Sequence, residues 1–235
     1  MCVALIYSRS ARFDRRYRDN NGHALLHDAD LAMHQRISGT SPTYAAPGFV
    51  HTSYSLLGSN SSQPPADLYQ SNPEWFWPRD DPTAYGQLCW TNETLVNHLI
   101  QQVRNFLDAS PDATIISVSQ NDNGNYCNTT SEWAVIVAEQ SPIGPLLRAV
   151  NAIADAIKVD YPHVAVDTLA YQYTRPAPVQ TVPRDNVIIR LCSIECNFAL
   201  PMSDESNLPF QTDIINWSKL TQRMYIWGKS YHIMR

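Results

Sequence analysis

The sequence has few charged residues and no long apolar run. Only 17% of its 235 residues are charged, and the formal net charge is -5. No apolar run reaches the roughly 18 residues that indicate a membrane-spanning helix, so none is predicted. Basic residues are scattered apart from a short group at positions 12–18, which is too small for a nucleic-acid-binding surface. We therefore expect no nucleic-acid partner and no membrane span, and the oligomeric state stays open.

Cysteine is sparse and irregularly placed, at positions 2, 89, 127, 192 and 196. An odd number without regular spacing is not a disulfide framework. Cys192 and Cys196 lie on one face of a predicted strand, but a rise of roughly 13 Å separates them, which is too far for an easy bridge. Their number and spacing do not favour a metal site. We expect neither a metal nor a cofactor.

Four Asn-x-Ser/Thr sequons occur, at Asn60, Asn92, Asn128 and Asn216. They matter only if the protein is secreted, and Asn92 is equally well explained as the cap of a following helix. The opening residues MCVALIY lack a basic region and a small-residue cleavage site, so they are not interpreted as a signal peptide. The localisation is left open, with secretion or a lumenal location as one possibility.

What the sequence does contain is an alternation of apolar strands and amphipathic helices. Helices are predicted at 28–39, 93–108, 144–159 and 210–222, and strands at 13–19, 114–120, 164–173, 187–195 and 224–228. Segment 48–57 is a strand or a loop, and 58–90 is a long structured loop. This βα order is typical of parallel strands with helices outside the sheet.

Polar side chains gather where the predicted strands end. One strand runs into Gln120-Asn121-Asp122-Asn123, the next ends in Tyr171-Gln172, and a third carries Glu195. In a (β/α)8 barrel the active site lies at these carboxyl ends, and a pair of carboxylates is what cleavage of a glycosidic bond requires. The candidate catalytic residues are Asp122 and Glu195. The candidate substrate-binding residues are His51, Gln120, Asn121, Asn123, Tyr171, Gln172, Arg175 and Trp227.

Each candidate also has a structural explanation. Asp122 fits a turn as well as a catalytic site. Glu195 fits an ion pair with Arg190 or Arg175, and Arg175 fits that pairing as well as the recognition of an acidic sugar. His51 fits a core position as well as contact with a substrate hydroxyl.

Several blocks of the sequence resemble the DUF4838 family over roughly residues 45 to 227. They are GFVHTSYSLL, QLCWTNETL, ATIISVSQNDNGNYC, SPIGPLLRAVNAIADAI, VAVDTLAYQYTRPAP, PRDNVIIRLCSIECNF and WSKLTQRMYIW. The family is uncharacterised and is similar to glycoside hydrolases of the α-glucuronidase and hexosaminidase type, which have a TIM barrel. The resemblance implies an α/β fold with a partial barrel over 45–235, preceded by an irregular segment, 1–44, that is a remnant of the first barrel units. The resemblance brings no activity of its own. The paired carboxylates predict hydrolysis of a glycosidic bond, with a non-catalytic carbohydrate-binding or degenerate fragment of such an enzyme as the alternative.

The sequence departs from the family at its end. It reads Trp227-Gly228-Lys229 where relatives read Trp-Asp-Tyr, and it supplies five or six strands where a complete barrel has eight. We interpret the chain as a truncated member. We therefore expect an open sheet edge beside its first or its last strand.

Overall fold

The structure is a computed structural model that describes residues 16–17, 37–38, 44–61, 63–77 and 85–227. Its strands are β1 (Arg16–Tyr17), β2 (Ile37–Ser38), β3 (Ile115–Ser117), β4 (Ala165–Ala170), β5 (Val187–Cys192) and β6 (Met224–Trp227). Its α-helices are α1 (Ser53–Leu56), α2 (Ala66–Ser71), α3 (Glu93–Asp108), α4 (Thr130–Glu139), α5 (Ile143–Ile157) and α6 (Leu208–Leu220). None of the helices in these ranges is long and apolar enough to cross a membrane.

All the strands belong to one parallel sheet with the order β2-β1-β6-β5-β4-β3. The prediction that β3, β4, β5 and β6 are parallel neighbours is confirmed. Helix α5 packs against β4 and β5, and α3 packs against α5 on the same side. Parallel pairing through crossover helices is the α/β arrangement that the sequence predicted.

The sheet is curved, as a barrel requires. Beyond β3, Tyr44 forms a parallel bridge with Ile115, so Tyr44 and β2 lie at opposite ends of the strand order. In a flat sheet these ends would be about 29 Å apart, at about 4.8 Å per strand. Only six residue steps join Ser38 to Tyr44, and they reach about 21 Å at most. The sheet must therefore curl back on itself into a partial (β/α)8 barrel.

The strand order of the described sheet ends at β2, next to β1, and at β3. Tyr17 in β1 pairs in parallel with Trp227 in β6, so these two strands are neighbours. The expected open edge near the first or the last strand stays a prediction, since β2, the neighbour of β1, ends the described strand order. The residues after Trp227, including Gly228, lie outside the described residues.

The long helices form where the sequence combines a cap with an apolar stripe. The Asn92 side chain accepts a hydrogen bond from the Leu95 backbone N–H at 3.1 Å and thereby caps α3. Leu95, Leu99 and Val103 recur every four residues and are fully buried. A stripe of this spacing packs one helix face into the core, which is why the predicted bounds of α3 agree with the observed ones.

Three local predictions need correction. Ile37 and Ser38, placed in a helix over 28–39, form strand β2 because they pair with β1; the rest of that segment lies outside the described residues. Segment 48–57 contains the short helix α1. Helix α4 was not predicted, since Trp133, Val135 and Val137 alternate like a strand, although the Thr129 side chain accepts from the Glu132 N–H at 3.4 Å and caps a helix.

The cysteines also differ from the expectation. Cys89 and Cys127 form a disulfide across 38 residues of sequence. Cys192 and Cys196 are free, as predicted, although Cys196 lies in the turn after β5 rather than on the strand. Sequence spacing could not identify the pair, because the two halves of the disulfide come from a loop before α3 and a loop before α4.

A polar layer lies on the inner face of the sheet. Asp167 in β4 and Arg190 in β5 are fully buried and form an ion pair. The Tyr44 hydroxyl donates to Asp167 Oδ2 at 2.9 Å, and Arg190 also bonds to that hydroxyl. Arg190 Nη1 donates to the backbone carbonyl of Phe49 at 2.7 Å. Arg190 therefore joins the strands to the loop that leads to the candidate site, and its partner is Asp167 rather than Glu195.

Candidate functional site

The candidate site lies at the carboxyl edge of the sheet, where three neighbouring strands end. Asp122, Tyr171 and Glu195 follow β3, β4 and β5 respectively. The side chains of Asp122 and Glu195 are 60% and 45% exposed, whereas Tyr171 is buried. The strand order therefore places a buried phenol between two accessible carboxylates.

Tyr171 is the centre of this arrangement. Its hydroxyl donates to Asp122 Oδ1 at 3.0 Å and accepts from Gln172 Nε2 at 3.0 Å. Burial raises the pKa of Tyr171 above its ordinary range, and the hydrogen bond to Asp122 and the negative charges of Asp122 and Glu195 raise it further. Both carboxylates thus act electrostatically on one phenol, which keeps its proton and remains a hydrogen-bond donor to Asp122.

His51 completes the cluster from the loop before α1. Its Nδ1 lies 2.9 Å from the Gln120 carbonyl oxygen, and its Nε2 lies 3.9 Å from Asp122 Oδ2. The imidazole ring centre is 5.7 Å from that of the Tyr171 ring. His51 and Gln172 have φ angles of 51° and 52°, a left-handed conformation that costs side-chain-bearing residues about 1–3 kcal/mol and occurs often at functional sites.

Gln120 lies beneath the exposed residues and has no exposed surface. Its Oε1 accepts a hydrogen bond from the Thr174 hydroxyl, and its Nε2 lies 3.4 Å from the carbonyl oxygen of Tyr171. The Thr174 hydroxyl also lies 3.1 Å from the Tyr171 N–H, from which it accepts. Gln120 therefore joins the end of β3 to the end of β4. Direct contact of its side chain with a ligand stays a prediction.

The amide-rich run after β3 is held by Gln87, which the sequence analysis did not single out. Gln87 Nε2 donates to the carbonyls of Asn121 and Asn123 at 2.9 and 2.7 Å, and its Oε1 accepts from the Asn121 N–H at 2.8 Å. Asn121 Nδ2 donates in turn to the Gly86 carbonyl at 2.8 Å. The run is thus a braced turn that leaves the Asp122 side chain accessible beside the Tyr171 hydroxyl. Ligand contact by Asn121 and Asn123 stays a prediction.

Glu195 belongs to a charged cluster with Arg175 and Asp213. Arg175 Nη1 lies 2.6 Å from Glu195 Oε2, and its Nε lies 2.5 Å from Asp213 Oδ2. Burial alone would lower the pKa of Arg175, but the hydrogen bonds and charges of Asp213 and Glu195 raise it above its ordinary value. The ion pair between Glu195 and Arg175 that the sequence allowed is present, and Asp213 is an additional member.

Asp213 could have been found from the sequence of α6. The buried face of this helix carries Phe210, Ile214 and Trp217, spaced four and three residues apart. Asp213 falls on that same face, where an acidic residue needs a partner. The helix pattern therefore indicated a buried or half-buried ion pair, although not the identity of the cation.

Trp227, at the end of β6, lies beside the site rather than in its charged cluster. Its ring meets that of Phe49 edge-on, with 6.0 Å between ring centres. Its backbone carbonyl accepts from the Ser193 N–H at 3.1 Å. Trp227 and Phe49 thus form an aromatic border near His51, and contact of Trp227 with a sugar stays a prediction.

The sequence matches the family Domain of unknown function (DUF4838) over residues 5–234. The chain belongs to the DUF4838 family. No curated protein matches this DUF4838 chain.

Solved structures that resemble the DUF4838 chain include two GH36 α-galactosidases from Geobacillus stearothermophilus. The match to AgaA, in complex with stachyose, has a TM-score of 0.29 and 12% identity, and covers 71% of this chain and 26% of that one. The match to AgaB has a TM-score of 0.29 and 10% identity, and covers 69% of this chain and 25% of that one. The DUF4838 chain therefore spans about a quarter of the length of these enzymes.

Proposed function

We propose that this DUF4838 protein is a glycoside hydrolase that cleaves a glycosidic bond with Asp122 and Glu195. The observation that carries the proposal is the pair of accessible carboxylates on either side of Tyr171, at the carboxyl edge of a curved parallel sheet. Active sites of (β/α)8 enzymes lie at this edge. Two carboxylates on opposite sides of the scissile bond are the usual catalytic pair of glycosidases.

The surroundings of the two carboxylates suggest different roles. Glu195 has the permanent positive charge of Arg175 at 2.6 Å, which suits a carboxylate that acts as an anion, either as nucleophile or as general base. Asp122 is the more exposed of the two and has no arginine or lysine partner among the described residues. In the proposal Asp122 donates the proton to the leaving oxygen, and Glu195 attacks the anomeric carbon or activates a water molecule.

The other predicted residues divide into two groups in this proposal. His51, Gln172 and Trp227 contact the sugar, because they border the space beside Tyr171. Gln120, Asn121 and Asn123 hold the turn that positions Asp122, and Arg175 holds Glu195. Tyr171 fixes the orientation of Asp122 through its hydroxyl.

The proposal is tested by turnover of a panel of aryl glycosides, including uronides and N-acetylhexosaminides. Asp122→Asn should lose activity on substrates with poor leaving groups and keep it on dinitrophenyl glycosides, whose leaving group needs no proton. Glu195→Gln should lose activity on all of them. Asp160→Asn is the matched control, since Asp160 is an exposed acid paired with Arg104 on another part of the surface. Equal activity of all three variants would refute the assignment.

One observation favours carbohydrate binding without turnover as a second candidate. Arg175 holds both Glu195 and Asp213, so the Glu195 carboxylate is restrained by an ion pair in this structure. If the protein only binds, calorimetric titration with oligosaccharides should show binding that His51→Ala weakens, while no aryl glycoside is cleaved. Turnover that depends on Glu195 would reject this candidate.

A further inference from the structure

The disulfide between Cys89 and Cys127 indicates the compartment in which the chain matures. Both cysteines are buried, with 2% and 1% exposure. Disulfides form and persist in oxidising compartments and are rare where thiols are kept reduced. The sequons of this chain therefore need to be considered as acceptors for N-linked sugar, which they would not be in a reducing compartment.

Asn128 is the sequon asparagine that the fold presents best. It follows Cys127 directly, is exposed, and lies in an irregular segment just before α4. The hydroxyl residue of its sequon, Thr130, is also exposed and is the first residue of α4.

The other sequons are less accessible in the fold. The Asn92 side chain caps α3, and the hydroxyl of Thr94 in the same sequon donates to Asn92 Oδ1 at 2.7 Å. Asn216 lies in α6, is half-buried, and accepts from Lys219 Nζ at 3.1 Å. Asn60 is exposed, but the Ser62 of its sequon lies outside the described residues. Asn128 alone combines an exposed asparagine, an exposed hydroxyl residue and an irregular backbone within the described ranges.

We propose that Asn128 is an N-glycosylation site, modified where the Cys89–Cys127 disulfide forms. The co-reactant is a lipid-pyrophosphate-linked oligosaccharide, and the catalyst is an oligosaccharyltransferase. The bond between the anomeric carbon and the pyrophosphate oxygen breaks, and a bond from that carbon to Asn128 Nδ2 forms. Nδ2 loses one proton, and the lipid pyrophosphate leaves with the bonding electrons. This proposal is independent of the glycosidase assignment.

The test is translation of the full chain, behind a cleavable secretory leader, in the presence of microsomes. An attached glycan should slow the migration of the chain in gel electrophoresis, and peptide:N-glycosidase F should reverse this shift. The same enzyme converts glycosylated Asn128 to aspartate, which peptide mass spectrometry detects. Asn128→Gln and Thr130→Ala should each remove that modification. Since acceptance is read on the translated chain, the result does not depend on whether a variant is later secreted.

A matched control separates the sequon from the helix cap. Thr129→Val keeps the sequence Asn-x-Thr but removes the hydroxyl that caps α4, so Asn128 should still be modified. The linked peptides of Cys89 and Cys127 should appear in the same non-reduced digest. Unmodified Asn128 in a chain that carries this disulfide would overturn the proposal, and so would modification that persists in Thr130→Ala.

Discussion

Replacing Glu132 by glutamine should remove part of the pH dependence of stability. Glu132 lies in the first turn of α4 and is only 3% exposed. Its Oε1 accepts a hydrogen bond from the Thr91 N–H at 2.6 Å. Burial raises the pKa of the carboxyl from its ordinary value of 4.5 to about 7, although the bonds from Thr91 oppose the change. Glutamine keeps the accepting oxygen and the side-chain shape and removes the ionisation.

The magnitude follows from the two pKa values. In the unfolded chain Glu132 loses its proton near pH 4.5, whereas in the folded protein it keeps the proton up to about pH 7. Between these values the folded state binds more protons, so the free energy of unfolding decreases as the pH rises. The total decrease from this one group is about 3 kcal/mol. The stability that proton binding by Glu132 gives the folded state is fully lost once the pH exceeds about 7.

The assay is urea unfolding of the wild type and of Glu132→Gln at a series of pH values from about 4 to 8. The difference between the two free energies of unfolding should change by about 3 kcal/mol over this range, in favour of the variant at high pH. Other titrating groups are common to both proteins and cancel in the difference. Absolute stability is less informative, because a buried amide NH2 group without a partner costs about 1–3 kcal/mol at every pH.

Glu93→Gln is the control, since Glu93 is an exposed acid in the first turn of the neighbouring helix α3. Its difference from the wild type should stay within about 0.5 kcal/mol throughout the pH series. If the curves for Glu132→Gln and the wild type were parallel, burial of Glu132 would not govern the ionisation and the reasoning would be refuted.

Three further changes test the packing and the cross-link. Asp167→Asn should lower the free energy of unfolding by about 3–5 kcal/mol, because it leaves a buried guanidinium without its counter-charge; a loss below about 1 kcal/mol in urea unfolding would contradict this. Replacing Cys89 and Cys127 by serine should cost about 4 kcal/mol for a 38-residue loop, and the same loss should appear when the wild type is unfolded with reductant. Leu99→Ala should lower the thermal midpoint through a loss of about 2–5 kcal/mol, whereas Ile215→Ala, at a side chain that is 55% exposed, should hardly change it.

The sequence predicted those parts of the fold that depend on local signals. Helix α3 has a cap at Asn92 and leucines at four-residue spacing, and its predicted and observed bounds coincide. Strand β5 was predicted to reach Glu195 but ends at Cys192. The end of a strand depends on its partner, and the partner is not visible in the local sequence.

The candidate site was predictable only in part. Asp122, Tyr171 and Glu195 could be placed together because parallel strands end at a common edge. Gln87 could not, since it comes from a loop whose position is set by packing rather than by strand order. The pattern of α6 indicated that Asp213 needs a partner, but not that this partner is Arg175 of the site. Assignment of a ligand role to Gln120 depended on residue type alone, which does not distinguish a side chain that meets a ligand from one that braces two strands.

The hydrogen bond from Arg190 to Phe49 has a consequence for any mutational scan of this protein. Phe49 lies two residues before His51, so a fully buried side chain below the sheet edge fixes the start of the loop that carries a half-buried imidazole. Substitutions at Arg190 should therefore reduce ligand affinity and stability together, although no ligand can reach that position. The residues at which substitution lowers ligand affinity would extend from the surface into the interior of the barrel. The most deeply buried of them would position the site without contacting a ligand.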